Sequence, residues 1–165
     1  MPAKKQYELQ PILELREAAK KNAMRLVAER RERLRAAEEE LERREQSVAA
    51  WRVYQADSAL KMREESARGI TAQRLLTHRA HLDNLRVKER ELVELVARQQ
   101  DAVEYARAAV EAALDALVKA AGEVKVLEEH REQWRIDVRR EEARQEQKEN
   151  DEVGIIGYDS RRERE

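Results

Sequence analysis

Residues 64–71, with the sequence EESARGIT, separate two long stretches in which apolar residues recur every three or four positions. The recurrence is lost within this segment. Gly69 is the residue type that most easily takes the left-handed conformation that closes a helix, and Thr71 can cap the start of the next one. The sequence therefore predicts a first helix over about 11–66, a turn at about 67–70 and a second helix from about 71.

The stretches on either side of this turn both carry heptad repeats. Positions seven apart in the first stretch are Leu13, Lys20, Val27, Leu34, Leu41, Val48, Gln55 and Met62, and in the second they are Leu75, Leu82, Glu89, Val96, Val103, Val110, Leu117, Val124, Arg131 and Val138. A companion series three residues further on runs from His78 to Trp134 in the second stretch, whereas that of the first is broken by Arg16, Arg30 and Arg44. Seven-residue spacing over this length indicates a left-handed coiled coil.

Two features predict that the helices run antiparallel. Nine alanines lie in residues 102–121, and a reversal at the turn places them opposite a second alanine-rich group, Ala18, Ala19, Ala23, Ala28, Ala36 and Ala37. Small residues on both sides allow close approach of the helices. Residues 8–35 carry eight basic and five acidic side chains and residues 103–130 carry three and six, so a net charge of +3 meets −3. The same pairing predicts that Arg44 lies near Glu94.

The chain ends also carry boundary signals. Pro11 marks the start of the first helix, because proline is tolerated in a first turn but breaks a helix interior. Gly154 and Gly157 predict that the second helix ends at about residue 152, before a disordered tail over 153–165. The second helix is thus the longer one, and only the segment around Tyr7 is available to cover its last turns.

Composition supports this architecture over a globular one. The chain has 165 residues, of which 41% are hydrophobic and 42% are charged, with no Phe and no Cys. A compact domain usually has about 25% charged residues. Two prolines and four glycines supply few turns, which excludes a many-stranded fold. We predict an all-α protein, a two-helix antiparallel coiled-coil hairpin forming one domain.

Charge and hydropathy exclude several classes of function. The 34 basic and 35 acidic residues nearly cancel, so no overall field attracts nucleic acid or an anionic membrane. Neither a signal-peptide core nor a membrane-spanning run is visible, and the lack of cysteine fits a reducing compartment, so a cytoplasmic protein is expected. The glycines at 69, 122, 154 and 157 do not have the spacing of a phosphate-binding loop.

Individual residues give little support for chemistry. His78 and His81 lie three apart, but no third metal ligand is evident near them. Carboxylates on a narrow two-helix structure have almost no interior in which their pKa values could be shifted for catalysis. We therefore predict no enzyme, catalytic residue, cofactor or metal. Trp51 lies on the predicted seam between the helices, whereas Tyr54 lies off it and is a candidate partner contact.

The two ends of the sequence resemble a known family. The motif YxLxPILxLRE over residues 7–17, and Trp134 followed by EEARQEQKExDE over residues 141–152, are similar to the type III secretion central stalk family. This family includes the YscO-like proteins of bacterial injectisomes and the FliJ-like flagellar export proteins. Trp134 and the EARQE run are more similar to the injectisome branch, and the middle of the chain is generic coiled coil.

The resemblance implies a non-enzymatic, monomeric hairpin similar to the rotor shaft of rotary ATPases. Such a protein inserts into the hexameric type III export ATPase, stimulates it, links it to the export gate protein at the membrane and escorts secretion chaperones. By this resemblance the ATPase end would comprise Trp134, Arg144, Gln147, Lys148, Glu149, Asp151 and Glu152. The export-gate end would comprise Trp51, Tyr54, Leu75 and His78.

Two other functions fit the heptad pattern. A self-associating structural spacer would be a parallel dimer whose seam continues through residue 69 without reversal. A clamp-type chaperone would instead hold export clients between its helices. The first of these is distinguished from the hairpin by the direction of the chain after the turn.

Overall fold

A computed structural model describes residues 6–162, with side-chain exposures through residue 152. Two helices account for nearly all of it, α1 (Gln10–Ala67) and α2 (Ala72–Arg162), and residues 6–162 contain no strand. The helices pack against each other in opposite directions. The predicted all-α antiparallel hairpin is therefore confirmed, and the reversal contradicts a parallel dimer with an uninterrupted seam.

The turn between the helices is built from the residue types that its sequence indicates. Gly69 has a φ of 87°, in the left-handed region. Its amide donates to the carbonyl oxygen of Ser66 at 3.2 Å, which satisfies part of the end of α1. On the far side, Oγ1 of Thr71 accepts a hydrogen bond from the amide of Arg74 at 3.3 Å and caps α2.

The end of α2 differs from the prediction. The sequence analysis ended this helix at about residue 152 and assigned disorder to 153–165, whereas α2 continues to Arg162. A glycine in a helix costs only about 1 kcal/mol relative to alanine, so Gly154 and Gly157 weaken the helix without breaking it. The last part of the predicted tail, residues 163–165, lies outside the described residues.

The chain divides into two compact units. Residues 25–115 form one, here called the hairpin unit, and residues 1–24 with 116–165 form the other, the terminal unit. In the hairpin unit the side-chain amide of Gln99 donates to the carbonyl oxygen of Ala37 at 2.9 Å, and Nε1 of Trp51 donates to that of Leu85 at 3.0 Å. Later residues of α1 therefore contact earlier residues of α2, as an antiparallel pairing requires.

The predicted seam supplies the core. Every position of the α2 series from Leu75 to Val138, and of its companion series from His78 to Trp134, is buried or half-buried. The same holds in α1 for the series from Leu13 to Met62, whereas Arg16 is exposed. Fully enclosed side chains are few, because two helices can cover only a narrow stripe of each other.

Two glycine substitutions are expected to have opposite effects on stability. Gly69→Ala should lower the free energy of unfolding by about 1 kcal/mol, because an alanine is strained at a positive φ. Gly122→Ala should raise it by up to about 1 kcal/mol, since Gly122 lies inside α2 and a Cβ there meets no atom within 4 Å. Urea unfolding followed by circular dichroism measures both changes, and a shift of the same sign in the two variants would contradict this account of the turn.

Candidate functional site

The N-terminal segment folds back onto α2. Tyr7, which precedes α1, is only 7% exposed. Its hydroxyl lies 2.8 Å from Nδ1 of His130 and 3.4 Å from the carbonyl oxygen of Leu127. Its ring centroid lies 5.7 Å from that of His130 and 5.5 Å from that of Trp134, with tilted planes typical of favourable aromatic contacts. Tyr7 therefore fastens the start of the chain to α2.

The adjoining residues of the terminal unit secure this arrangement. Leu13 is completely buried and Val124 is 3% exposed. Nη1 of Arg16 lies 2.8 Å from a carboxylate oxygen of Glu123, which joins the two helices at the surface. Both members of this ion pair are about half exposed, so the contribution of the pair is small beside that of the buried leucine.

Further along α2, beyond residue 141, the described side chains are exposed. Residues 142–152 are all exposed, and they include most of the residues that the resemblance assigns to the ATPase end: Arg144, Gln147, Lys148, Glu149, Asp151 and Glu152. Nη1 of Arg144 lies 3.8 Å from a carboxylate oxygen of Glu141, one turn earlier on the same helix. Trp134 differs from this group, because it is half-buried beside Tyr7.

The residues assigned to the gate end have two different environments. Trp51 donates to the carbonyl oxygen of Leu85, and the side-chain amide of Gln55 donates to the same oxygen at 2.9 Å. Tyr54 is 48% exposed, with its ring centroid 5.5 Å from that of Trp51. Trp51 thus lies in the seam and Tyr54 lies beside it, as the sequence predicts.

The remaining two residues of the gate-end group lie on the seam next to the turn. Leu75 and His78 are both half-buried. Nε2 of His78 lies 2.9 Å from a carboxylate oxygen of Glu65, and Nη2 of Arg74 lies 3.8 Å from that oxygen. These contacts join the last turn of α1 to the first turns of α2. Of the four gate-end residues, Tyr54 is the one with an exposed side chain.

Arg44 meets α2 beside Glu94, as predicted, but its guanidinium pairs with a different carboxylate. Nε of Arg44 lies 2.8 Å from a carboxylate oxygen of Glu40, and Nη1 donates to the carbonyl oxygen of Leu95 at 3.0 Å. Glu94 instead pairs with Arg98 on its own helix at 3.6 Å. A charged residue one turn away on the same helix is always within reach, so both Arg44 and Glu94 pair within their own helix. The hydrogen bond from Arg44 lowers the pKa of Glu40.

Two recesses on one flank of the hairpin unit were not predicted from the sequence. The first has a volume of about 250 Å³ and is lined by Glu45, Val48, Ala49, Arg52, Val93 and Val96. The second, of about 290 Å³, is lined by Arg52, Gln55, Ala56, Ala59, Leu82 and Arg86. Nε of Arg52, which lines both, lies 2.7 Å from a carboxylate oxygen of Glu89, and this hydrogen bond lowers the pKa of Glu89. The heptad pattern identifies seam residues but gives no signal for recesses at the edge of the seam.

The described side chains form neither a buried polar site nor a metal site. No polar or charged side chain among them is buried, and no group of three or more His, Asp or Glu within this part of the chain could hold a metal ion. Across the described residues, no helix combines the length and the apolar character needed to cross a membrane. The fold defines the chain as an antiparallel coiled-coil hairpin.

Comparison with known proteins identifies the family within this class. The sequence profile of the YscO-like proteins matches residues 4–164. The chain therefore belongs to the YscO-like family, which confirms the resemblance of its terminal motifs and makes it a protein related to type III secretion.

A solved structure supports the same assignment. CT670 from Chlamydia trachomatis, assigned as a YscO homolog, superimposes with a TM-score of 0.86 at 27% sequence identity. The match covers 98% of this chain and 99% of the other. The curated proteins include no match to this sequence.

Proposed function

We propose that this protein is a non-enzymatic central stalk of a type III secretion system. In this proposal it inserts into the hexameric export ATPase, stimulates ATP turnover and connects the ATPase to the export gate protein. It acts as a monomer at the cytoplasmic face of the secretion apparatus, reaches the membrane only through its partners and also escorts secretion chaperones. The observation that carries the proposal is family membership over nearly the whole chain together with the exposed stretch of α2 over residues 142–152.

The exposed stretch supports an ATPase-binding role through its chemistry. Residues 142–152 carry five acidic and two basic side chains, all exposed to solvent. Exposed ion pairs contribute about 0–1 kcal/mol each, so contacts of this kind can be exchanged as the subunits of a ring change state. The buried Tyr7 packs on Trp134 in the part of α2 that precedes the stretch, and the exposed Tyr54 of the hairpin unit supplies an anchor for the gate.

Deletion of residues 142–165 tests the proposal. We expect it to abolish stimulation of the cognate export ATPase, measured as phosphate release with the purified hexamer. The hairpin should remain folded, because residues 142–152 contribute no buried side chain. An unchanged unfolding midpoint by circular dichroism is the control. Full stimulation by the shortened chain would contradict the proposal, and binding to chaperone–client complexes with no effect of either chain on the ATPase would favour a clamp-type chaperone.

A further inference from the structure

A third recess of the hairpin unit has the lining of an anion-binding site. Its volume is about 160 Å³, and it is lined by Arg30 and Arg33 of α1 and by Tyr105, Ala106 and Ala109 of α2. Arg30 and Arg33 lie three positions apart, so their side chains are neighbours on one face of α1. Two guanidinium groups therefore border one small recess.

The carboxylates that lie near this recess in the sequence already have partners. They pair at 2.5, 2.7 and 3.0 Å, Glu29 with Arg33, Glu32 with Arg35 and Glu104 with Arg107. Arg30 has no carboxylate within 4 Å among the residues that the structure describes, although it is half-buried. A charged group that is partly removed from water without a counter-charge is unfavourable. An anion in the recess would supply the missing counter-charge.

Arg33 can donate to the same anion. Its ion pair with Glu29 is made through Nη2, and its side chain is 61% exposed. A guanidinium has five N–H donors in a fixed geometry, so a single ion pair leaves outer donors that can reach a second acceptor. The neighbouring guanidinium groups of Arg30 and Arg33 also repel each other, and an anion between them reduces this repulsion. The recess therefore favours a carboxylate or a phosphate group over a neutral ligand.

Tyr105 favours a protein segment over a small inorganic anion. It is 79% exposed and borders the recess. Tyrosine is enriched at protein interfaces, because its ring offers a large apolar surface and its hydroxyl a polar one. Phosphate would use only the two guanidinium groups. A peptide that carries a carboxylate can also pack an adjacent apolar side chain on the ring.

A second copy of this chain is a poorer occupant. In a two-fold symmetric pairing through the recess, Arg30 and Arg33 of one copy would approach the same residues of the other. Like charges in close contact weaken an interface. An acidic segment of a different protein has no such conflict.

We infer that this recess binds an acidic segment of a partner protein. One Asp or Glu carboxylate of the segment is held by Arg30 and Arg33, and an adjacent apolar side chain packs on Tyr105. The inference is independent of the proposed function, which places partner contacts at residues 142–152 and at Tyr54.

Nuclear magnetic resonance of the isotope-labelled full chain provides the test, because it detects weak binding at individual side chains. The probe is the capped peptide GSELEFEGS, in which every glutamate has an apolar neighbour. Its control is GSQLQFQGS, which lacks the carboxylates, and inorganic phosphate is a separate ligand. The protein variants are Arg30→Gln and Tyr105→Ser. Arg25→Gln is the matched control, because it removes the same charge at an exposed α1 position that does not line the recess.

The Nε–H signal of Arg30 and the amide signal of Tyr105 should shift with saturation when GSELEFEGS is added. Arg30→Gln should weaken binding by about fivefold or more, whereas Arg25→Gln should change it by less than about twofold. Tyr105→Ser should weaken binding by about threefold, and because Tyr105 is exposed this variant keeps the fold intact.

Four results would overturn the inference: equal binding of the glutamine peptide, equal losses in the two arginine variants, unchanged binding by Tyr105→Ser, or no saturable shift. Phosphate binding at the same signals without peptide binding would also overturn it, because the recess would then be a site for a small anion. So would a dimer in sedimentation velocity that Arg30→Gln dissociates, since a second copy would then occupy the recess.

Discussion

Tyr7→Ala is expected to lower the free energy of unfolding of the terminal unit by about 2 kcal/mol and to expose Trp134. Truncation of an enclosed aromatic side chain costs about 3–5 kcal/mol. A cost below this range is expected for Tyr7, because its aromatic contacts are all with α2. The ring lies 5.5 Å from that of Trp134 between centroids and is 7% exposed, so its removal opens the indole to water. Urea unfolding measures the first effect.

Indole fluorescence measures the second effect. The chain contains two tryptophans, so the comparison is made in a Trp51→Phe background, where Trp134 is the single emitter. We expect Tyr7→Ala to shift the emission to longer wavelength and to increase quenching by acrylamide. Tyr7→Phe is the matched control, because it keeps the ring contact and loses only the hydroxyl contacts with His130 and the carbonyl oxygen of Leu127, at a cost of about 1 kcal/mol. Identical emission from the alanine and tyrosine chains would show that Tyr7 does not cover Trp134.

The turn and the seam could be predicted from the sequence because they depend on local chemistry. Gly69 and Thr71 form the turn and the cap through interactions within a few residues. The heptad series from Leu75 to Val138 specifies one face of a helix, and that face is buried or half-buried throughout. A single apolar stripe marks the face of the helix that must be covered, so periodicity is sufficient to identify the buried residues.

The features that could not be predicted depend on competition or on tertiary placement. The position of Arg44 beside Glu94 was predicted, but its ion pair with Glu40, one turn earlier on its own helix, was not. The end of α2 depended on whether the helix-breaking effect of Gly154 and Gly157 exceeds the helix propensity of the residues around them. A difference of about 1 kcal/mol per glycine is too small to decide this from the sequence.

The candidate site also contains features that the sequence predicts and features that depend on tertiary placement. Terminal motifs indicated which residues of α2 to consider, because Arg144 to Glu152 form a recognisable run, and exposure along the helix is uniform there. The two recesses arise from the relative placement of α1 and α2 at the edge of the seam. Ala49 and Ala56 have no distinctive sequence pattern, since alanine is common throughout both helices.

Leu13→Ala is expected to cost about 3 kcal/mol, whereas Leu15→Ala should change stability by less than about 0.5 kcal/mol. The two leucines lie two residues apart near the start of α1, so the change in helix propensity is the same in both. They differ in environment: Leu13 is 0% exposed and Leu15 is 68% exposed. The difference between the variants therefore isolates the burial of one side chain on the seam.

The location of the effect is as informative as its size. Leu13 belongs to the terminal unit, so hydrogen exchange should accelerate in the first turns of α1 and around Val124, with less change in residues 25–115. Urea unfolding supplies the stability values, and Leu15→Ala is the internal control for the loss of a leucine. Equal costs for the two variants would contradict the assignment of Leu13 to the core. A large cost for Leu13→Ala alone would show that the first heptad residue of α1 stabilises the packing of α1 on α2 in the terminal unit.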